Sequence, residues 1–108
     1  MSLTDALRLR VIKEVEMTIA VAGTPEVIPA NLQAEAVRII NNNVSKTISV
    51  GRQATVDANS TPEVGIVLRQ LESHIEFGLK NHVSNNFIEV WVDSDTNTTV
   101  ITLQYMGA

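Results

Sequence analysis

The sequence predicts an all-β protein: a single antiparallel β-sandwich, jelly-roll-like, with about seven or eight short strands and an N-terminal arm. The chain has 108 residues, the length of one domain. Hydrophobic residues make up 44% of it and aromatic residues only 4%. The core must therefore rest on Val, Ile and Leu, and β-branched side chains favour strands. Turn signals recur roughly every 8–12 residues, a spacing typical of a sandwich or barrel.

The first segment is open to two interpretations. Apolar residues alternate from residue 7 to residue 21, with Lys13 as the break, and this is the period of a strand. Leu3, Leu7 and Val11 also fit one stripe of a short helix that starts near Thr4. We therefore assign residues 1–12 to an arm or short helix and residues 13–108 to the sandwich, with the first strand starting at about residue 11.

Turn-forming residues separate the remaining strands. Gly23 and Pro25 stop regular structure, and Pro29 fits only an edge or irregular strand. Asn41 to Asn43 read as a turn, because Asn tolerates positive φ and bonds its own backbone. The last two strands read as a hairpin around residues 94–97. The predicted strands are residues 11–20, 27–30, 36–41, 46–50, 65–71, 74–79, 87–93 and 99–105.

Composition argues against several kinds of partner and site. The net charge is −4, and the eight basic residues are scattered along the chain, whereas nucleic-acid binding needs clustered Lys and Arg. The chain has no Cys, which excludes disulfides and Cys-based zinc sites. No apolar run approaches the roughly 20 residues of a membrane span. We expect neither a nucleic acid nor a membrane as partner.

No group of residues has the spacing of a catalytic or metal site. His74 shares a predicted strand face with Glu76, but a catalytic base needs an oriented set of groups around it. Asp93 and Asp95 begin a run that resembles the start of a calcium loop, yet the Gly and Glu that an EF-hand needs later are absent. A turn explains the run better than the alternative, a weak calcium site. We expect no catalytic residue, no metal, no cofactor and no enzymatic activity.

Both faces of the predicted strand 87–93 carry large apolar side chains. If Ile88, Val90 and Val92 pack into the core, Phe87 and Trp91 point outward. Tryptophan is enriched at interface hot spots, so this face is a candidate subunit contact. The alternatives are that Trp91 lies under a loop or that the two faces are reversed.

Six segments follow one another in an order that resembles small β-sandwich structural proteins of tailed-bacteriophage virions. They are residues 21–30 (VAGTPEVIPA), 36–41 (AVRIIN), 48–51 (ISVG), 65–68 (GIVL), 75–77 (IEF) and 87–92 (FIEVWV). The resemblance covers about residues 18–105, and its motifs mark turns and core positions. Two segments depart from the pattern: residues 53–63 lack the usual glycine-rich turn, and the arm before Glu16 is not part of it.

The resemblance implies a structural role in the virion, at the capsid surface. It implies a decoration or cement protein that binds the major capsid protein or other virion proteins, as a homo-oligomer with a trimer favoured. One alternative is a neck, tail or baseplate component. Another, from a different class, is a carbohydrate- or receptor-binding sandwich. Sugar-binding proteins usually stack sugars on exposed aromatic side chains, and this chain has only one Trp and one Tyr. The predicted contacts are Leu3, Leu7, Leu9 and Val11 on the capsid, and Phe87 and Trp91 on the sister subunit.

Overall fold

The computed structural model describes residues 10–80 and 88–107, which form eight strands. Within these residues no helix occurs, so none of them belongs to a helix that could cross a membrane. The strands are β1 (Arg10–Ile19), β2 (Glu26–Val27), β3 (Ala36–Asn41), β4 (Ile48–Gly51), β5 (Ile66–Leu68), β6 (Ser73–Gly78), β7 (Trp91–Ser94) and β8 (Thr99–Gly107).

The strands form two four-stranded sheets in which every pairing is antiparallel. The first sheet has the order β1-β8-β3-β6, and the second has the order β2-β7-β4-β5. Each connection crosses from one sheet to the other, except the one between β4 and β5. This is the jelly-roll arrangement of an antiparallel sandwich. The predicted fold class is confirmed.

The predicted final hairpin is wrong. β7 pairs with β2 and β4, whereas β8 pairs with β1 and β3. Residues 94–97 therefore join the two sheets, and the turn at Asn41 to Asn43 does the same between β3 and β4. The turn chemistry was located correctly, but Asx-type turns fix only the reversal of the chain and not the partner of the next strand.

Several strand bounds also differ from the prediction. Residues 10–12, which we assigned to the arm, lie in β1, and residues 1–9 fall outside the described residues. β2 ends before Pro29, which cannot donate to a ladder. β7 begins only at Trp91, and Phe87 lies outside the described part of the chain.

The core lies between the sheets and is mainly aliphatic, as the composition predicts. In β3, Val37 and Ile39 are fully buried while Arg38 points outward. The buried cluster is Ile19, Ile28, Ala34, Val37, Ile39, Ile48, Val50, Leu68, Phe77, Leu79, Val90, Val92, Ile101, Leu103 and Tyr105.

Tyr105 is the one polar-tipped side chain in this cluster. Its ring is 2% exposed, and its hydroxyl donates a hydrogen bond to the carbonyl of Pro29 in the β2–β3 loop. Burial raises the pKa of Tyr105 to about 12, because the phenolate would lose its hydration in this site.

Tyr105 is the only tyrosine in the chain, so its ionisation can be followed directly. In the unfolded chain the tyrosine has a pKa of about 10. Between that value and the raised pKa, the unfolded chain releases a proton that the folded protein keeps, so the free energy of unfolding falls as the pH rises. We expect tyrosinate absorbance of the folded protein to show the raised midpoint. Tyr105→Phe should remove this component of the alkaline loss of stability in urea unfolding, and an ordinary midpoint in the folded protein would contradict the prediction.

Candidate contact surfaces

A row of polar side chains crosses the outer face of the first sheet, with one residue from each strand. Gln104 Nε2 donates to Glu14 Oε1 at 2.7 Å, and Arg38 Nη1 donates to Gln104 Oε1 at 3.3 Å. Arg38 Nε and Nη2 donate to Glu76 Oε1 at 2.9 and 2.6 Å. Strand register places the four residues side by side. These groups therefore satisfy one another across the sheet.

His74 and Glu76 share this outer face, as their spacing in β6 predicts. Glu76 accepts its hydrogen bonds from Arg38, and no hydrogen bond joins it to His74, although both residues are described. The pair Arg38–Glu76 is half exposed, and such surface ion pairs contribute little to stability. The outer face is thus a solvated polar surface.

The long β4–β5 loop packs on the outer face of the second sheet. Ser49 Oγ donates to the carbonyl of Val64 at 2.6 Å, and Val56 of this loop is buried. Close approach requires glycine at two positions. A Cβ on Gly51 would lie 2.8 Å from Val56 Cγ1, and Gly65, with φ of 109°, would place a Cβ 2.8 Å from the carbonyl oxygen of Val50. The loop therefore covers part of this face.

The carboxylate of Asp93, fully buried beneath this loop, links three parts of the chain. Its Oδ1 accepts the N–H of Gly23 at 2.9 Å. Its Oδ2 accepts the N–H of Ala58 at 2.8 Å and Nδ2 of Asn59 at 3.2 Å. The β1–β2 turn and the β4–β5 loop are thereby both fixed to β7. A buried carboxylate is tolerated because it accepts several hydrogen bonds.

The two aspartates considered as a weak calcium site are both engaged in holding loops. Asp95 Oδ1 accepts the N–H of Thr47 at 3.0 Å, while Asp93 is occupied as described above. Among the described residues, no group of three or more His, Asp and Glu side chains is placed to hold a metal ion. Turn formation accounts for the Asp93–Asn97 run.

Trp91 lies on the outer face of the second sheet and is partly exposed, so the outward orientation is the one observed among those considered for this strand. Its neighbours in the chain, Val90 and Val92, are fully buried. Strand register places Trp91 beside Val27, which is 39% exposed, and beside Gly51. The β4–β5 loop thus leaves an apolar surface formed by Trp91 and Val27, which we call the Trp91 surface.

Val11 lies on β1, an edge strand of the first sheet, and is 46% exposed. It pairs with Met106, just before a bulge between Val11 and Lys13. The other three arm residues assigned to the capsid contact, Leu3, Leu7 and Leu9, fall outside the described residues.

Val11 and Trp91 lie at the same end of the sandwich but on different sheets. Val11 pairs with Met106, whose row in the sheet ends at Gly78. On the other sheet, Trp91 pairs with Gly51, and Arg52 follows Gly51 in the chain. Arg52 Nη1 donates to the carbonyl of Gly78 at 3.0 Å. We call this end, where β1 begins, the base.

Sequence reasoning missed the polar row and the role of Asp93. Glu14, Arg38, Glu76 and Gln104 each sit at an outward position of a predicted strand, so their faces were predictable. Their alignment depends on strand order, which alternation does not reveal. For Asp93, the sequence signal that could have indicated its buried role is its position directly after the apolar run that ends at Val92.

Comparison with protein-family models, with curated proteins and with solved structures finds no match for this chain. Function is therefore inferred from the topology and the exposed surfaces.

Asp93→Ala is expected to lower the free energy of unfolding by about 2–4 kcal/mol, because one buried and two partly buried donors lose their acceptor. Asp95→Ala is the matched control, and its loss should stay below about 1 kcal/mol, since Asp95 is exposed. Urea unfolding followed by fluorescence of Trp91, the only tryptophan, measures both. Equal losses in the two variants would count against the assigned role of Asp93.

Proposed function

We propose that this protein is a capsid decoration or cement protein that binds the surface of a phage head and stabilises it. The observation that carries the proposal is the eight-stranded jelly-roll topology, an architecture that viral capsid proteins use repeatedly. The support that this topology gives is a fold analogy. It agrees with the resemblance of the sequence to small sandwich proteins of tailed-phage virions.

The surfaces of the described residues support a function in binding other proteins and not in catalysis. The buried carboxylate of Asp93 is occupied by loop N–H groups, and Arg38 and Glu76 of the outer polar row bind each other. The apolar groups that remain exposed are suited to partner surfaces. We assign the Trp91 surface to a sister subunit, because tryptophan is enriched at interface hot spots.

We assign Val11, together with the arm residues Leu3, Leu7 and Leu9, to the capsid. Val11 is the second residue of the edge strand β1, and its apolar side chain is 46% exposed. It is therefore close in the chain to the arm residues and accessible to the same partner. In a homotrimer, three such arms would engage neighbouring capsid subunits together, and linked contacts add avidity.

An antibody against the chain is expected to label the heads of particles of the phage that encodes it. Immunogold electron microscopy checks this, with antibody pre-absorbed on the purified protein as control. Label on tails or necks would replace the proposal by the neck, tail or baseplate alternative. Particles without label would contradict a virion role, and binding on a glycan array would then favour the carbohydrate-binding class.

Deletion of residues 1–9 is expected to weaken binding to undecorated heads at least tenfold while leaving the fold intact. The described pairs of β1 with β8 begin at Arg10, so the deletion leaves them in place. Co-sedimentation with heads measures binding, and circular dichroism monitors folding. Full-length protein with Leu7→Ser and Leu9→Ser is the matched variant and should lose binding as well. Undiminished binding by both variants would remove the arm from the contact.

A further inference from the structure

The end of the sandwich opposite the base is one continuous surface of four turns. Thr98 N–H donates to the Ala20 carbonyl at 3.0 Å and joins the β7–β8 turn to the β1–β2 turn. Asp95 N–H donates to the Thr47 carbonyl at 3.1 Å and joins the same turn to β3–β4. The β5–β6 turn is attached through Glu72, whose N–H donates to the carbonyl of Asn41 at 2.7 Å.

The side chain of Asn41 reinforces this surface from below. It is fully buried, and its Nδ2 donates to the carbonyls of Lys46 at 2.8 Å and Leu68 at 2.9 Å. Its Oδ1 accepts the backbone N–H and Nδ2 of Asn43, each at 3.0 Å. The turns are thus held in place before any partner binds, which lowers the entropy that binding would cost.

Three of these turns each expose one aliphatic side chain. Val44 is 80% exposed, and Val21 and Leu71 are each 52% exposed. Two exposed acids, Glu72 and Asp95, accompany them. We call these five residues the turn patch.

The cations at this end are engaged with the protein. Arg69 Nη1 binds Glu63 Oε1 at 2.7 Å, and that hydrogen bond lowers the pKa of Glu63 below its ordinary value. Lys46 is half-buried, with Nζ 3.4 Å from the carbonyl of Thr98. The exposed charge of the turn patch is therefore acidic.

The base carries a second apolar patch of opposite charge. Leu32 is 75% exposed and Ile12 is 41% exposed. Ile12 Cδ1 and the carbonyl oxygen of Gln33 both lie within 3.3 Å of a Cβ built on Gly107, which places the β2–β3 loop that carries Leu32 beside Ile12. Arg10 and Lys13 flank Ile12 in the chain and are exposed. We call Arg10, Ile12, Lys13 and Leu32 the base patch.

The balance of charge at the base is positive among the described residues. Exposed Arg10, Lys13 and Arg52 outnumber the exposed Glu89. Lys80 and Glu35 form a pair at 3.2 Å. The two ends of the molecule thus present apolar side chains with complementary charges.

We propose that the turn patch of one copy of this chain binds the base patch of the next copy. Apolar side chains on both patches would be buried, and the acids of one would face the cations of the other. A contact between two different patches is heterologous: it closes into a ring when the rotation between copies allows, and otherwise it continues as an open chain of copies. A cyclic trimer is built from such contacts. The Trp91 surface lies at the base as well, so the subunit contact assigned to it lies at the same end of the molecule.

Two other surfaces fit a second copy less well. The edge strand β1 has a bulge before Lys13. Lys13 also places a charge on the face of the strand that Val15 and Met17 share. Both features oppose edge-to-edge pairing with a second copy. On the outer face of the first sheet, the polar row already satisfies its charges internally.

The test uses Val44→Lys, which alters the turn patch, and Leu32→Asp, which alters the base patch. Both side chains are mostly exposed, so the fold should persist, and circular dichroism checks it. We expect light scattering to give an oligomer for the wild type and to show at least tenfold weaker association for each variant. Val44→Lys would set an ammonium group against the cations of the base patch, and Leu32→Asp would set a carboxylate against the acids of the turn patch. Ile66→Asp, at a residue 44% exposed outside both patches, is the control and should still assemble.

Mixing the two variants decides between kinds of contact. Val44→Lys retains an intact base patch and Leu32→Asp an intact turn patch, so an equimolar mixture is expected to form a heterodimer and stop there. A wild type that stays monomeric, an effect confined to one of the two variants, or a mixture that stays monomeric would overturn the proposal. These measurements use the purified protein alone. If the copies do not associate, the labelling of phage heads is unaffected as a test of the proposed function. If the heads are not labelled, the heterodimer experiment still tests the contact between copies.

Discussion

The carboxylate of Asp93 fixes the outer side of the second sheet. It is fully buried, and it accepts hydrogen bonds from Gly23, Ala58 and Asn59, which belong to two different connections. A jelly roll needs such links, because nearly every connection crosses between the sheets and cannot rely on the ladder of a local hairpin. The position of the β4–β5 loop, and with it the exposure of Trp91, depends on this carboxylate together with the hydrogen bond from Ser49 to Val64 and the burial of Val56.

The turns at the other end are held by the same kind of interaction. Asn41 accepts and donates hydrogen bonds as a buried amide, and its partners lie in the β3–β4 turn and at the end of β5. Buried polar groups are favourable only when all their hydrogen-bonding positions are used. The sandwich therefore has an aliphatic interior and a polar framework at its connections.

Local patterns of the sequence predicted the strands well, and pairing between strands poorly. Alternation in β3 placed Val37 and Ile39 inside and Arg38 outside, since the side-chain period of a strand is a property of neighbouring residues. The partner of β7 is a property of the whole chain, and the Ser94–Asn97 turn carried no information about it. The exposed face of Trp91 could be predicted because Val90 and Val92 flank it. The approach of Ile12 to Gln33, or of Asp93 to Ala58, could not be predicted, because both depend on crossing connections.

The exposed aliphatic residues of the turns follow from the hydrogen bonding beneath them. Val44 directly follows Asn43, whose backbone N–H and side chain are bound to Asn41, and this geometry leaves Val44 pointing into solvent. A mobile turn could fold such a side chain back onto the protein, but a turn held at both its backbone and its side chain cannot. Rigid exposure of an apolar group costs solvation free energy that a partner surface would recover. The same network that stabilises the crossing connections therefore also creates a surface suited to protein contact.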